Sequence, residues 1–106
     1  MDRTDVDREY DTVGHVAINV ANLEQAVHWY TTSFSCEVIS RSPKRVILQF
    51  ANVRVSLVLP SLEPPHIAFC KSDAASFGEL TDRGDGAPST LLSDPTGNIV
   101  KLFSTD

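Results

Sequence analysis

The sequence predicts an α+β domain made of two β-α-β-β-β modules. Three observations predict it: an alternating apolar segment at residues 13–20, a capped amphipathic helix directly after it, and the return of the opening text beyond a proline-rich break.

The elements follow in order. In Val13-Gly14-His15-Val16-Ala17-Ile18-Asn19-Val20, the residues Val16, Ile18 and Val20 share one face, and His15, Ala17 and Asn19 share the other. That period of two is a half-buried strand. Asn22 then stands at an N-cap, with Gln25 three residues on as its capping-box partner. Leu23, Ala26, Val27, Tyr30 and Phe34 follow at helical spacing, with Glu24, His28 and Thr31 opposite. Trp29 falls at the edge of the apolar stripe and reads, with Tyr30, as core or dimer contact; His28 reads as solvated. Three strands come next: 37–41, then 45–50 after a Ser42-Pro43-Lys44 turn, then 53–59. In the last, Val53, Val55, Leu57 and Leu59 alternate with Arg54, Ser56 and Val58. Pro60, Pro64 and Pro65 end the pattern and mark a linker over 60–65.

Beyond the linker, His15-Val16-Ala17-Ile18 returns as His66-Ile67-Ala68-Phe69, 51 residues later. A second helix is expected over 73–83, capped by Ser72 or Asp73 and closed by Gly84, although its apolar residues, Ala74, Phe77 and Leu80, are sparser. Asp94-Pro95-Thr96-Gly97-Asn98 reads as a turn in which Gly or Asn takes positive φ. The strand Ile99-Val100-Lys101-Leu102-Phe103 matches 53–58 when Leu102 is set against Leu57. The second copy is shorter, and the missing text lies between Gly84 and Pro88, so its middle strand is expected to be short or absent. Module one spans 13–59 and module two 66–103, within a single domain over 12–106.

Composition bounds the function. With 106 residues, 42% apolar and 22% charged, the chain has the profile of a folded domain with one core. The net charge of −5 argues against nucleic acid, whose phosphates select basic faces. No apolar run approaches the ~20 residues of a membrane span, so no membrane partner is expected. Residues 1–11 carry five acidic side chains against Arg3 and Arg8, an acidic tail without the basic and apolar regions of a signal peptide. Cys36 and Cys70 are too few for a disulfide scaffold and read as buried, inert thiols in a cytoplasmic protein. No phosphate loop, His-Glu-x-x-His or Cys-x-x-Cys motif is present.

Gly14-His15-Val16-Ala17, the run from Asn22 to Tyr30, His66-Ile67-Ala68-Phe69 and Asp94-Pro95-Thr96-Gly97-Asn98 occur together in this order. In this the chain resembles the vicinal oxygen chelate superfamily, the group of glyoxalases, bleomycin-resistance proteins and extradiol dioxygenases, over residues 13–103. The resemblance implies a cup-shaped mixed or antiparallel sheet formed by the two modules, usually in a homodimer, with a small-molecule ligand in the cup. In metal-dependent members, a His or similar ligand on the first strand of each module and a carboxylate on the last hold a divalent ion that polarises vicinal substrate oxygens.

Carried over by position, the imidazoles are His15 and His66, and the carboxylate positions hold Ser56 and Lys101. A hydroxyl is a poor ligand, and an ammonium has no lone pair and repels a cation. A shift of one residue does not restore the set, because it reaches only Val55, Leu57, Val100 or Leu102. These four positions are therefore vestigial, and no metal or other cofactor is expected. Arg54, Ser56 and Lys101 share the parity of Val58, Ile99 and Phe103, so the expected ligand-binding residues are His15, Arg54, Ser56, His66, Lys101 and Phe103. Cations and imidazoles in one concavity suit an anionic ligand; the plainer alternative extends Arg54 and Lys101 to solvent at the rim. The leading expectation is metal-independent binding or sequestration of a small molecule, with no catalytic residue assigned. The alternative is a metal-dependent lyase, isomerase or dioxygenase in which a divalent metal takes His15, His66 and an atypical third ligand among Glu37, Gln49 and Glu63. A scaffold or regulatory subunit is a third reading.

Overall fold

Local signals act where the sequence puts them in the first half of the chain, and less so in the second. The computed structural model describes residues 10–83 and 87–104. Its elements are β1 (Thr12–Asn19), α1 (Leu23–Ser33), β2 (Glu37–Ser42), β3 (Arg45–Gln49), β4 (Arg54–Val58), β5 (His66–Cys70), a 3₁₀ helix (Ala74–Ser76), β6 (Ser89–Ser93) and β7 (Ile99–Phe103). The class is α+β, as the sequence predicts. Pairing is mixed: β1 runs parallel to β4, while β2–β3, β3–β4 and β6–β7 are antiparallel. Of the acidic tail only Tyr10 and Asp11 are described, both exposed; the rest of it lies outside the described residues.

Two compact units emerge, His15–Ile67 and a second formed by the residues through Gly14 with those from Ala68 onward. In the first, the strands lie in the order β2-β3-β4-β1. The Asn22 side chain accepts the Gln25 N–H at 2.9 Å, starting α1 as the capping signal predicts. The helix ends at Phe34, whose backbone is extended and whose N–H still reaches the Tyr30 carbonyl. Val27 of α1 packs with Val46, Leu48 and Leu57, and Ile18, Val20, Leu23, Ala26 and Tyr30 gather around them half-buried. Full burial of a leucine contributes about 1.5–3 kcal/mol, so Leu48 and Leu57, both at 0% exposure, anchor the helix to the sheet.

In the second unit β7 lies between β5 and β6. The β6–β7 hairpin closes through the expected turn: Gly97 takes φ 99°, and Asp94 accepts the backbone N–H of both Thr96 and Asn98 at 2.9 Å. Two expectations fail here. The helix over 73–83 is absent, and only the 3₁₀ turn Ala74–Ser76 forms, without a side-chain cap from Asp73. At Gly78 the chain passes so close to β6 that a Cβ there would meet Thr90 Oγ1. Three residues later Thr81 pairs its backbone with Ser89 at 2.8 and 2.9 Å, in extended conformation. The strand lost among the described residues is also not the middle one. Counterparts of β3 and β4 exist as β6 and β7, and the counterpart of β2 is reduced to the bridge at Thr81. Cys36 and Cys70 are free and half-buried rather than buried.

Candidate functional site

The two histidines of the repeated tetrad meet inside the first unit. His15 projects from β1 and His66 opens β5; their Nε2 atoms are 3.3 Å apart, with ring centroids at 5.4 Å and planes at 73°. His66 is buried at 4% exposure and His15 is half-buried. His66 Nδ1 lies 2.9 Å from the Pro64 carbonyl oxygen. A carbonyl only accepts, so Nδ1 carries the proton, and the Nε2 of neutral His66 is an acceptor. His15 then donates through its own Nε2–H. The hydrogen-bond network assigns opposite tautomers to the two rings.

Strand register gathers the neighbours. His15 faces Arg54 and Ala17 faces Ser56 between β1 and β4, and Gln49 faces Arg54 and Ile47 faces Ser56 between β3 and β4. Cross-strand partners share a face, so His15, Arg54 and Ser56 stand on the side opposite the core stripe of Leu48 and Leu57. Arg54 is exposed and donates from Nε to Gln49 Oε1 at 3.0 Å, whereas Ser56 is buried.

Lys101 and Phe103 belong to the other unit, on β7. Lys101 is the third residue of β7 as Ser56 is the third of β4, and each strand is the middle one of three neighbours, β3-β4-β1 and β5-β7-β6. The structure therefore repeats the correspondence read from sequence. Lys101 is 0% exposed, not at a solvent rim, and its Nζ stands 5.7 Å from the Phe103 ring centroid.

Sequence reasoning missed a polar cluster on the same face. Arg45 at the start of β3 is buried, and its Nη2 donates to Glu63 Oε1 at 2.7 Å, with both side chains only 10% exposed. Asn19 Nδ2 donates to the Glu63 carbonyl at 3.0 Å and to the Val58 carbonyl at 3.2 Å. The available signal was parity, since Arg45 alternates with Val46 and faces Val58, itself two residues from Ser56. Two surface hollows of about 440 and 360 Å3 flank Asn22 in this unit, and neither is lined by a site residue expected from sequence.

Among the described residues no three His, Cys, Asp or Glu side chains are grouped to hold a metal ion. The third ligands considered from sequence are committed elsewhere: Glu63 to Arg45, and Gln49 to Arg54 and the Phe50 carbonyl, while Glu37 is exposed at the start of β2.

No family model matches the chain, and no curated protein matches it. Solved structures do. A hypothetical protein from Bacillus halodurans C-125 aligns over 91% of this chain and 95% of its own, with TM-score 0.67 and 13% identity. A hypothetical protein from Staphylococcus aureus aligns over 96% of this chain with TM-score 0.63 and 10% identity, and this chain spans 38% of its length. These two establish a shared fold. A glyoxalase/bleomycin resistance protein/dioxygenase from Alicyclobacillus acidocaldarius matches at 23% identity and TM-score 0.43, over 90% of this chain and 92% of its own. Among the described residues no helix is long and apolar enough to cross a membrane.

Proposed function

We propose that this chain is a vicinal oxygen chelate protein that binds or sequesters an anionic small molecule without a metal. The observation that carries this reading is the pair of residues at the carboxylate positions. Ser56 and Lys101 are both buried in equivalent strands, so one carboxylate is replaced by a neutral group and the other by a cation. A position suited to a divalent cation becomes one suited to an anion, which gains charge-assisted hydrogen bonds from guanidinium or ammonium groups. His15, Arg54, Ser56 and His66 are the proposed ligand-binding residues of the first unit, and Lys101 and Phe103 are those of the second, each taken by itself. Homodimeric assembly follows from the family resemblance, and two free cysteines support a reducing, cytoplasmic setting.

One observation favours a second reading, a metal-dependent lyase, isomerase or dioxygenase. Two nitrogens bound to one tetrahedral ion at ~2.0–2.1 Å lie about 3.3 Å apart, and the His15 and His66 Nε2 atoms stand at 3.3 Å. A single experiment separates the readings. The purified protein is assayed for bound zinc, nickel, manganese and iron, then titrated calorimetrically with carboxylates, phosphates, neutral diols and amines. The first reading expects less than stoichiometric metal and binding confined to anions, weakened tenfold or more by Ser56→Asp. Stoichiometric metal lost on His66→Ala, or hits that are all neutral or cationic, would overturn it.

A further inference from the structure

The polar cluster around Glu63 is a better candidate for control of the site than any hollow on the surface. We infer that Glu63 and Asn19 are positioning residues that fix the tautomer of His66; the inference rests on His66 being a ligand-facing group, as proposed above. The segment from Pro60 to Pro65 delivers the chain to β5, and it is tied down at Glu63 by two independent contacts. The Glu63 carboxylate takes the 2.7 Å hydrogen bond of buried Arg45, and its carbonyl takes the 3.0 Å hydrogen bond of Asn19 Nδ2. Asn19 also holds the Val58 carbonyl, so one amide joins the end of β4 to the linker.

The next two residues are prolines, each with φ fixed near −65° and each restricting the residue before it. Anchoring Glu63 therefore directs the Pro64 carbonyl with little freedom left, and that carbonyl meets His66 Nδ1 at 2.9 Å. An exposed imidazole exchanges between two neutral tautomers. Here one is selected: Nδ1–H on His66, leaving its Nε2 lone pair toward His15 and obliging His15 to hold its proton on Nε2. The donor and acceptor order within the His15–His66 pair is thus set through Glu63 by Arg45, 18 residues before it in sequence.

The test reads tautomers directly in the ligand-free full chain, so its result is independent of whether any ligand binds. Long-range proton–nitrogen correlation of the histidine rings, at mildly alkaline pH, is expected to give His66 with protonated Nδ1 and bare Nε2, and His15 with the reverse. Exposed His28 supplies the reference for an exchanging mixture. Glu63→Gln keeps an acceptor for Arg45 and is expected to retain the native pattern. Glu63→Ala and Asn19→Ala are expected to lose it and give a mixed-tautomer signature at His66. Asn19→Ala removes the support without unpairing a buried charge, and decides the point where Glu63→Ala unfolds. A native His66 protonated on Nε2 would overturn the inference. So would a folded Asn19→Ala protein, judged by its amide spectrum, that keeps the native tautomers.

Discussion

The tetrad His15-Val16-Ala17-Ile18 leads into eleven residues of α-helix, and the tetrad His66-Ile67-Ala68-Phe69 leads into three residues of 3₁₀ helix. Both tetrads lie on a strand that neighbours the middle strand of a three-strand set, β1 beside β4 and β5 beside β7. The difference lies in the residues downstream of each strand. After the first come an N-cap that makes its hydrogen bond and apolar residues at each turn, among them a buried Val27. After the second come Asp73 without a cap bond, a lone buried Ala74 and Gly78 pressed against Thr90. A repeated strand does not carry its helix with it. Capping and a continuous apolar stripe have to be supplied again, because isolated short helices are marginal and most helix stability comes from packing.

The largest expected effect tests that packing. Leu48→Ala removes a fully buried side chain that forms the α1 contact cluster, and is expected to cost about 2–5 kcal/mol. Urea unfolding measures the loss, and hydrogen exchange should show α1 amides losing protection first. A cost below about 1 kcal/mol would mean that the helix stands on its cap and propensity, and the contrast between units would need another cause.

Legibility in the sequence divides along the same line. β1, α1, β3, β4 and the Asp94–Asn98 turn were readable because their signals are local: alternation, a capping pair three residues apart, a glycine at positive φ. The absence of the second helix was not, since Asp73 makes no cap bond and the chain instead runs to the Thr81–Ser89 bridge, a pairing visible only in three dimensions. Parity placed His15, Arg54 and Ser56 on one face, and register agrees. It could not reveal the Arg45–Glu63 pair, because a linker has no period to read. Nor could it foresee that Lys101 is enclosed while Arg54 reaches solvent, which depends on what packs around each strand.

A smaller effect sharpens the comparison at the helix starts. Asn22→Ala removes a cap that holds the Gln25 N–H and is expected to cost ~1 kcal/mol. The corresponding Asp73→Ala removes no cap bond and should stay within about 0.5 kcal/mol, since the Asp73 side chain offers an exposed contact to Lys71 at 3.6 Å. Thermal or urea unfolding of the two variants side by side is the measurement. Equal losses would indicate that Asp73 supports the 3₁₀ turn in solution, and the two units would then differ less than the geometry indicates.

The smallest effect concerns the turn that the second unit keeps. The Asp94 carboxylate accepts the Asn98 side-chain amide at 2.8 Å, the Asn98 and Thr96 backbone N–H at 2.9 Å each, and the Thr96 hydroxyl at 3.1 Å. These hydrogen bonds, that from the Asn98 side chain foremost, hold its pKa down to about 2 from the usual 3.8. A folded-state pKa below the unfolded one means that, as pH falls, the folded chain takes up this proton later than the unfolded chain does. The contribution is therefore complete above about pH 3.8 and is lost as pH falls toward 2. Asp94→Asn should accordingly flatten the stability profile between those values, where the wild-type carboxylate titrates. Carboxyl titration by NMR reads the group itself. A midpoint near or above 3.8 would mean that the hydrogen bonds of this loop do not persist in solution, and the hairpin would then be held by Gly97 and the β6–β7 ladder alone.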